Sequence, residues 1–185
     1  DIINVLKYLK INNSHFIGIS FGTLLIFKLM ETHREFINKS ILAGAITSLN
    51  HFTRFLLLCL NLLKSILPNM LLYKLFAYII MPKANHKESR LTFINEAKII
   101  DRKVFNQWIK LIPDLKKIIQ HLKPINLNKY ILFISGKDDY LFSKDARKFA
   151  SKNKFLSYYS IKGAGHVVNI DKPSVFNSKV IEYLK

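Results

Sequence analysis

The apolar positions of the first fifty residues follow two different periods. In residues 1–10, isoleucine and leucine recur at helical spacing with lysines on the opposite side, which predicts an amphipathic helix. Short apolar runs at 15–19 and 39–45 predict buried strands, and the apolar segment 21–35 between them predicts a helix. A strand, a helix and a strand in this order form a βαβ unit, which implies a parallel sheet.

The pattern changes between residues 50 and 123, where no run of residues predicts a strand. Four segments have the apolar spacing of helices and are bounded by Pro68, Pro82 and Pro113; they span residues 54–67, 69–80, 87–100 and 103–122. Helices inserted into a strand–helix alternation are typical of a cap or lid. We therefore assign residues 50–123 to a helical cap.

After Pro124 the alternation of strands and helices resumes. Apolar runs and periodic segments predict two strands and two helices, at 130–135, 155–161, 143–152 and 172–185. Ser143 is the expected N-cap of the first helix, and Pro173 lies in the first turn of the second. Residues 1–49 and 124–185 are therefore expected to form one α/β core around a parallel sheet with flanking helices.

Composition and charge exclude several classes of protein. Half of the 185 residues are apolar, which is enough for a packed core and argues against disorder. The formal net charge is +17, but the lysines are scattered and no aromatic–basic motif accompanies them, so we expect no nucleic-acid partner. We expect a cytoplasmic protein, since no secretory signal peptide is recognisable at the start of the sequence.

The apolar stretch 55–81 raises the question of a membrane span. Lys64, Pro68 and Lys74 interrupt it, so no apolar run reaches the roughly 20 residues that a bilayer core requires. Cap helices that pack on the domain are the favoured interpretation, and peripheral contact with a membrane surface is the alternative. The single cysteine, Cys59, excludes an internal disulfide and a cysteine-based metal site.

The candidate chemistry begins with the sequence Gly18-Ile-Ser20-Phe-Gly22, which lies between a predicted strand and a predicted helix. In that setting G-x-S-x-G is a nucleophile elbow, with Ser20 at the apex of a strained turn. We expect the two glycines to remove Cβ atoms that would collide across the turn. The N–H of Phe21, at a helix N-terminus, is the candidate oxyanion donor.

Two later loops supply an acid and a histidine. Gly136-Lys-Asp138-Asp139 and Gly163-Ala-Gly165-His166 each follow a predicted strand, and open parallel sheets place their sites at these carboxyl ends. Ser, Asp and His therefore occur in the chain order of an α/β-hydrolase triad. From the residues alone, Asp138 and Asp139 are both candidates for the acid.

With these three motifs and the cap between the first and second, the chain resembles the C-terminal two-thirds of an α/β-hydrolase of the serine esterase and C–C hydrolase type. The resemblance implies Ser20 as nucleophile, His166 as base and Asp139, three residues after the glycine, as acid. It also implies strands that precede Asp1 in the fold, and a second oxyanion N–H from that part. Asp145 and Asp171 are expected at helix starts or on the surface, and the five other histidines, including His86, on the surface or in turns.

The predicted function is a serine-dependent hydrolase of a small apolar ester or thioester that works through an acyl-enzyme. We expect no cofactor and no metal, because no pair of histidines has ligand spacing next to a carboxylate. A C–C bond hydrolase would use the same triad. An inactive hydrolase fold that binds a ligand or partner through the cap is the non-enzymatic alternative, and a basic membrane-surface protein is a third possibility.

Overall fold

The computed structural model describes most of the chain. The described residues are 1–101, 130–152 and 154–185, together with positions 103, 104, 107, 110, 115, 117, 118 and 119. Most of the predicted helix at 103–122 and the predicted cap boundary at residue 123 lie outside the described residues. The division into a core and a cap therefore stays a prediction.

In the part of the chain that the structure describes, four parallel strands form a single sheet, as the alternating pattern predicts. They follow one another across the sheet in chain order; β1 is Ser14–Ile19, β2 is Ile37–Ala43, β3 is Ile131–Gly136 and β4 is Leu156–Ile161. The register pairs Ile19 with Ala43, Ala43 with Ile134, and Gly136 with Ile161. The carboxyl ends of all four strands are thus aligned along one edge.

Burial on both faces explains why the strand β3 is almost continuously apolar. All six residues of β3 are buried. Ile131 and Phe133 face one apolar cluster, while Leu132 and Ile134 face another on the opposite side. Parallel strands covered by helices on both faces are apolar throughout rather than alternating. The sheet therefore provides a rigid base for the loops that follow its strands.

Eight α-helices have both ends within the described residues, together with two short 3-10 helices, Arg34–Phe36 and Ala84–His86. In chain order the α-helices are α1 Ile2–Tyr8, α2 Phe21–Thr32, α3 His51–Leu63, α4 Asn69–Ile80, α5 Lys87–Ala97, α6 Ser143–Ala150, α7 Val168–Asp171 and α8 Pro173–Leu184. Each predicted helix in this part of the chain is present, with ends that differ by a few residues. The prediction that Ser143 caps α6 is wrong, because the N-cap is Phe142 and the Ser143 hydroxyl donates to the carbonyl of Asp139 instead.

The helices α3, α4 and α5 lie between β2 and β3 in the chain, and we call them the inserted helices. They differ in how many of their side chains are buried. In α3, Asn50 caps the helix by accepting the N–H of Thr53 at 2.8 Å, and Thr53 is the one buried residue. In contrast, α4 and α5 share an apolar cluster with the loop that follows β3, through residues such as Ala77, Ile94 and Leu141. In the described part of the chain, no helix combines the length and the apolar character that crossing a bilayer requires.

Candidate active site

The turn after β1 has the strained backbone that the elbow motif predicts. Ser20 has φ 52° and ψ −115°, a backbone conformation that residues other than glycine rarely adopt. Its N–H donates to the carbonyl of Ala43 on β2 at 2.8 Å. The buried Thr23 hydroxyl donates to the Ser20 carbonyl at 2.6 Å. These contacts fix the backbone on both sides of Ser20 and hold its side chain at the carboxyl edge of the sheet.

The two glycines of the motif do different things. A Cβ at Gly18 would lie 2.6 Å from the Ile26 side chain and 2.8 Å from the Gly22 carbonyl oxygen, so this position has no room for a side chain. A Cβ at Gly22 would have nothing within 4 Å. The expectation that both glycines relieve a collision is therefore correct for Gly18 and wrong for Gly22, because the first turn of α2 is open on that side.

Ser20, His166 and Asp139 form one hydrogen-bonded line. The Nε2 atom of His166 lies 2.7 Å from the Ser20 Oγ, and its Nδ1 lies 2.9 Å from the Asp139 Oδ2. His166 is 3% exposed and Asp139 is 1% exposed. A buried carboxylate bonded to Nδ1 fixes the tautomer in which Nδ1 carries the proton and Nε2 can accept one from a hydroxyl.

The second oxygen of Asp139 is also occupied. Its Oδ1 accepts the N–H groups of Leu141 and Phe142, each at 3.2 Å. Hydrogen bonds to a buried carboxylate offset the cost of removing it from water. The Phe142 ring then packs against the His166 imidazole, with centroids 5.0 Å apart. The loop after β3 therefore holds both the acid and one face of the base.

The neighbouring carboxylate, Asp138, points to a different part of the molecule. It is paired with Lys83 at 2.6 Å and accepts a hydrogen bond from Asn85, both from the segment between α4 and α5. The hydrogen bond from Lys83 holds the pKa of Asp138 below its ordinary value. Of the two aspartates that the sequence left open, the structure places Asp139 against His166 and Asp138 against the inserted helices.

Two positions with positive φ shape the loop that carries His166. Gly163 has φ 66°, and Gly44, at the end of β2, has φ 56°. A Cβ at Gly44 would lie 2.6 Å from the His166 carbonyl oxygen and 3.2 Å from its ring. The sequence predicts a turn at Gly163, but it places Gly44 inside a strand. The close approach of Gly44 to His166 involves residues 122 positions apart, and no local pattern reports it.

The candidate oxyanion donor lies where the sequence places it. Phe21 is the first residue of α2, directly after Ser20. The N-terminus of a helix carries a partial positive charge and favours a nearby anion. The helix α2 has twelve residues, which is long enough for its N-terminus to carry this partial charge. The backbone N–H of Phe21 therefore follows Ser20 directly in the chain and lies at the positive end of a helix.

Among the other histidines, His86 differs from the expectation. The sequence predicts it on the surface or in a turn, but it is wholly buried with neither ring nitrogen hydrogen-bonded to a described residue. Its ring packs against Gly165, where a Cβ would come within 2.7 to 2.9 Å of it. His15 and His51 are exposed and His33 is half-buried, while His121 lies outside the described residues.

Asp171 also has a position that the sequence does not suggest. Instead of lying at a helix start or on the surface, it is half-buried with both carboxylate oxygens bonded. One oxygen accepts the Gly165 N–H at 2.7 Å and the other accepts the Ser89 hydroxyl from α5. The five-residue spacing from His166 is a local signal that could have suggested a contact with its loop.

An open cavity of about 720 Å³ lies elsewhere, beside β4 and α6. Its lining includes Lys137, Lys144, Arg147 and Lys162, but none of Ser20, Asp139 and His166. The candidate site is therefore defined by the hydrogen-bonded side chains of Ser20, His166 and Asp139, and it does not coincide with this cavity. Within the described residues, no group of three or more His, Cys, Asp or Glu side chains is placed to hold a metal ion.

Solved structures with a similar backbone are numerous, although the sequence similarity is low. No family model matches the chain, and no curated protein sequence matches it. An α/β-hydrolase enzyme from a Medee basin deep-sea metagenome library superposes with a TM-score of 0.73 at 14% identity, over 99% of this chain and 69% of that one.

Two further structures extend this comparison. A meta-cleavage product hydrolase from Pseudomonas fluorescens has a TM-score of 0.74 at 18% identity, covering 99% of this chain and 68% of its own. An enol-lactonase from Burkholderia xenovorans has a TM-score of 0.68 at 19% identity, covering 100% of this chain and 70% of its own. At this identity the likeness establishes the fold and leaves the chemistry to the residues of the site.

Proposed function

Because the chain has the α/β-hydrolase fold, we propose that it is a serine-dependent hydrolase that cleaves a carboxylic ester or thioester through an acyl-enzyme. One observation carries the proposal: the continuous line from the Ser20 hydroxyl through His166 to the buried Asp139. A serine hydroxyl is a weak nucleophile at neutral pH and needs a base within hydrogen-bond distance. His166 meets that requirement.

The first half of the reaction follows from the positions of these groups. His166 Nε2 takes the proton of the Ser20 hydroxyl while Oγ attacks the carbonyl carbon of the substrate. The carbonyl oxygen becomes an oxyanion, which the N–H of Phe21 stabilises at the start of α2. His166 then donates its proton to the leaving alcohol or thiol, and the acyl group stays on Ser20.

Water completes the cycle by the same route. It loses a proton to His166 Nε2, attacks the acyl carbon and releases the acid, and His166 returns the proton to Ser20. Asp139 remains ionised and stabilises the imidazolium that forms in both halves. Burial of this ion pair strengthens the stabilisation, because the effective dielectric constant is lower than in water.

We propose that the substrate carries an apolar acyl or aromatic group. The Phe142 ring lies against His166 and belongs to an apolar cluster that includes Ala77, Met81 and Ile94 of the inserted helices. Apolar side chains therefore border the base on the side of the predicted cap. Apolar surface of this kind favours substrates that bury hydrocarbon on binding.

A second candidate is hydrolysis of a carbon–carbon bond with the same triad. The observation that favours it is the fold similarity to a meta-cleavage product hydrolase, at a TM-score of 0.74. The two candidates differ in the leaving group, which is an alcohol or thiol in one and a carbon acid in the other. Parallel assays with an ester series and a vinylogous diketone substrate would separate them.

The experiment that tests the proposal is labelling with a fluorophosphonate, which reacts with activated serines. The full gene product is compared with its Ser20→Ala variant, and with Ser151→Ala as a control. Ser151 is exposed, and among the described residues its hydroxyl donates only to the carbonyl of Lys148. We expect labelling and ester hydrolysis in the wild type and the control, and neither in Ser20→Ala. Equal labelling of all three proteins, or none in a folded wild type, would refute a Ser20 nucleophile.

A further inference from the structure

Seven residues, at the end of the connection between α4 and α5 and in the first turn of α5, make contacts with both loops of the proposed triad. We call residues 83–89 the cap anchor. Its first part contacts the loop after β3, where Lys83 pairs with Asp138. Asn85 reaches both loops, since its Nδ2 lies 3.3 Å from the Asp138 carboxylate and donates to the Gly163 carbonyl at 3.0 Å. One short segment of the inserted helices therefore connects the acid loop to the base loop.

The second part of the cap anchor is connected, through Asp171, to the residue immediately before His166. Asp171 Oδ2 accepts the Gly165 N–H at 2.7 Å, and Asp171 Oδ1 accepts the hydroxyl of the buried Ser89. The carboxylate thus links the end of α7, the base loop and α5. A hydrogen bond to a carboxylate is stronger than one between neutral groups, so this link is among the firmest around His166.

His86, also in the cap anchor, covers Gly165. Its buried ring fills the space that a side chain at Gly165 would need, and its Nε2 lies 3.8 Å from Asp138 Oδ2. The peptide preceding His166 is therefore bonded through Asp171 and covered by His86. Movement of Gly165 in either direction would break the hydrogen bond or collide with the ring.

We propose that Asp171 is a positioning residue for the base His166, and that the cap anchor contributes to this role through Ser89 and His86. The inference rests on the proposed function, because it assigns Asp171 to the geometry of that triad. It adds that the position of His166 depends on how the inserted helices are seated. Asp171 acts through Gly165 and does not contact the reacting atoms.

The chain offers a matched control for this idea. Asp145 in α6 also accepts a hydrogen bond from a serine, Ser48, but among the described residues its carboxylate has no hydrogen bond to the loops that carry Asp139 and His166. Asp171→Ala and Asp145→Ala therefore remove the same chemical group from two carboxylate–serine pairs. Asp171→Asn keeps one oxygen as an acceptor, and Ser89→Ala removes only the link to α5.

The test measures kcat and KM of ester hydrolysis together with the NMR resonances of the His166 ring. We expect Asp171→Ala to lower kcat by about 100-fold with little change in KM, since a displacement of about 1 Å in a catalytic group costs that much. The kcat of Asp171→Asn should be higher than that of Asp171→Ala, and the kcat of Ser89→Ala should lie between those of Asp171→Asn and the wild type. Asp145→Ala should have the kcat of the wild type. The His166 ring signals should shift in the same order.

The ring signals also separate the two proposals. In the Ser20→Ala background there is no turnover, and a shift of the His166 resonances on Asp171→Ala would support positioning even if the hydrolase proposal failed. The positioning proposal would be overturned if folded Asp171→Ala and Ser89→Ala kept the kcat and the His166 resonances of the wild type. It would also be overturned if Asp171→Ala and Asp145→Ala changed kcat and the resonances equally. Where Asp171→Ala does not fold, Asp171→Asn and Ser89→Ala decide by the same criteria.

Discussion

The central strand β3 and the helix α3 bury very different shares of their residues. All six residues of β3 are buried, whereas α3 has thirteen residues and buries only Thr53. Four large apolar side chains of α3 are between 49% and 62% exposed; they are Phe52, Phe55, Leu58 and Leu62. The same kind of apolar sequence therefore serves as closed core in one region and as open surface in the other.

The difference shows which parts of the inserted helices are able to influence the site. The cap anchor is held by an ion pair, several hydrogen bonds and a buried ring, and it contacts the loops of Asp139 and His166. No comparable set of contacts to those loops is found for α3 among the described residues. The contacts of the cap anchor are therefore the ones through which the inserted helices could affect the position of the proposed triad.

The largest expected effect separates two adjacent aspartates, one facing the core and the other facing the cap anchor. Asp139→Asn should lower kcat roughly 10⁴-fold, because an amide at this place disturbs the tautomer of His166. Asp138→Asn should lower it by about tenfold or less, since it loses a partly exposed pair with Lys83. Steady-state kinetics on both variants measures the contrast. Similar losses in the two variants would mean that the acid is shared or misassigned.

The burial contrast itself can be measured by removing one phenylalanine from each region. Phe133→Ala in β3 should lower the free energy of unfolding by about 3–5 kcal/mol, because it removes a fully buried ring that packs against Phe27 and Phe149. Phe55→Ala, at a position 59% exposed in α3, should change it by less than about 0.5 kcal/mol. Urea denaturation gives both values. A large loss for Phe55→Ala would reveal a partner for α3 in the folded protein.

A smaller effect sharpens the comparison inside a single motif. Gly18→Ala should lower the free energy of unfolding by about 1–3 kcal/mol, since the new methyl group collides with the backbone of Gly22. Gly22→Ala should raise it by about 0.5–1 kcal/mol, because alanine is the better residue in a helix with open space. Thermal and urea unfolding check the two signs. Equal effects would show that the turn has relaxed.

The smallest effect concerns the ion pair that joins the core to the cap anchor. The pKa of Asp138 is lowered in the folded protein, so its contribution is fully present above the ordinary value of about 3.9 and is lost as the pH falls through the lower folded pKa. The pair is partly exposed, and we expect less than about 1 kcal/mol. The difference in unfolding free energy between wild type and Asp138→Asn, measured from pH 7 to pH 3, should shrink. A difference that grew on acidification would contradict the pairing.

Much of the core could be predicted because its signals are local. Ser20, Asp139 and His166 each follow a short strand-forming run within a few residues. The prediction that residues 15–19 are buried is wrong, because β1 lies at the edge of the described sheet and exposes His15 and Ile17. The parallel arrangement then brings the three strand ends to one edge. For this reason the sequence predicts the candidate triad, although it cannot decide between Asp138 and Asp139 without the family resemblance.

Three of the contacts that the sequence missed join distant parts of the chain. His86 lies against Gly165, Ser89 bonds to Asp171, and Gly44 lies under His166. Each depends on how one element is seated on another, and periodicity within one element carries no such information. A buried histidine without a bonded partner has the same local sequence as an exposed one, so its role emerges only after the inserted helices are placed.

The positive φ of Ser20 has a consequence for how such a site persists through evolution. A residue held in this region costs about 1–3 kcal/mol, and glycine would occupy it without that cost. Random mutation combined with selection for stability alone would therefore favour Ser20→Gly, which removes the hydroxyl at the same time. Under the proposed function, a lineage that keeps serine at this position gives up some stability for a reactive hydroxyl, and continuous selection for the reaction holds it there.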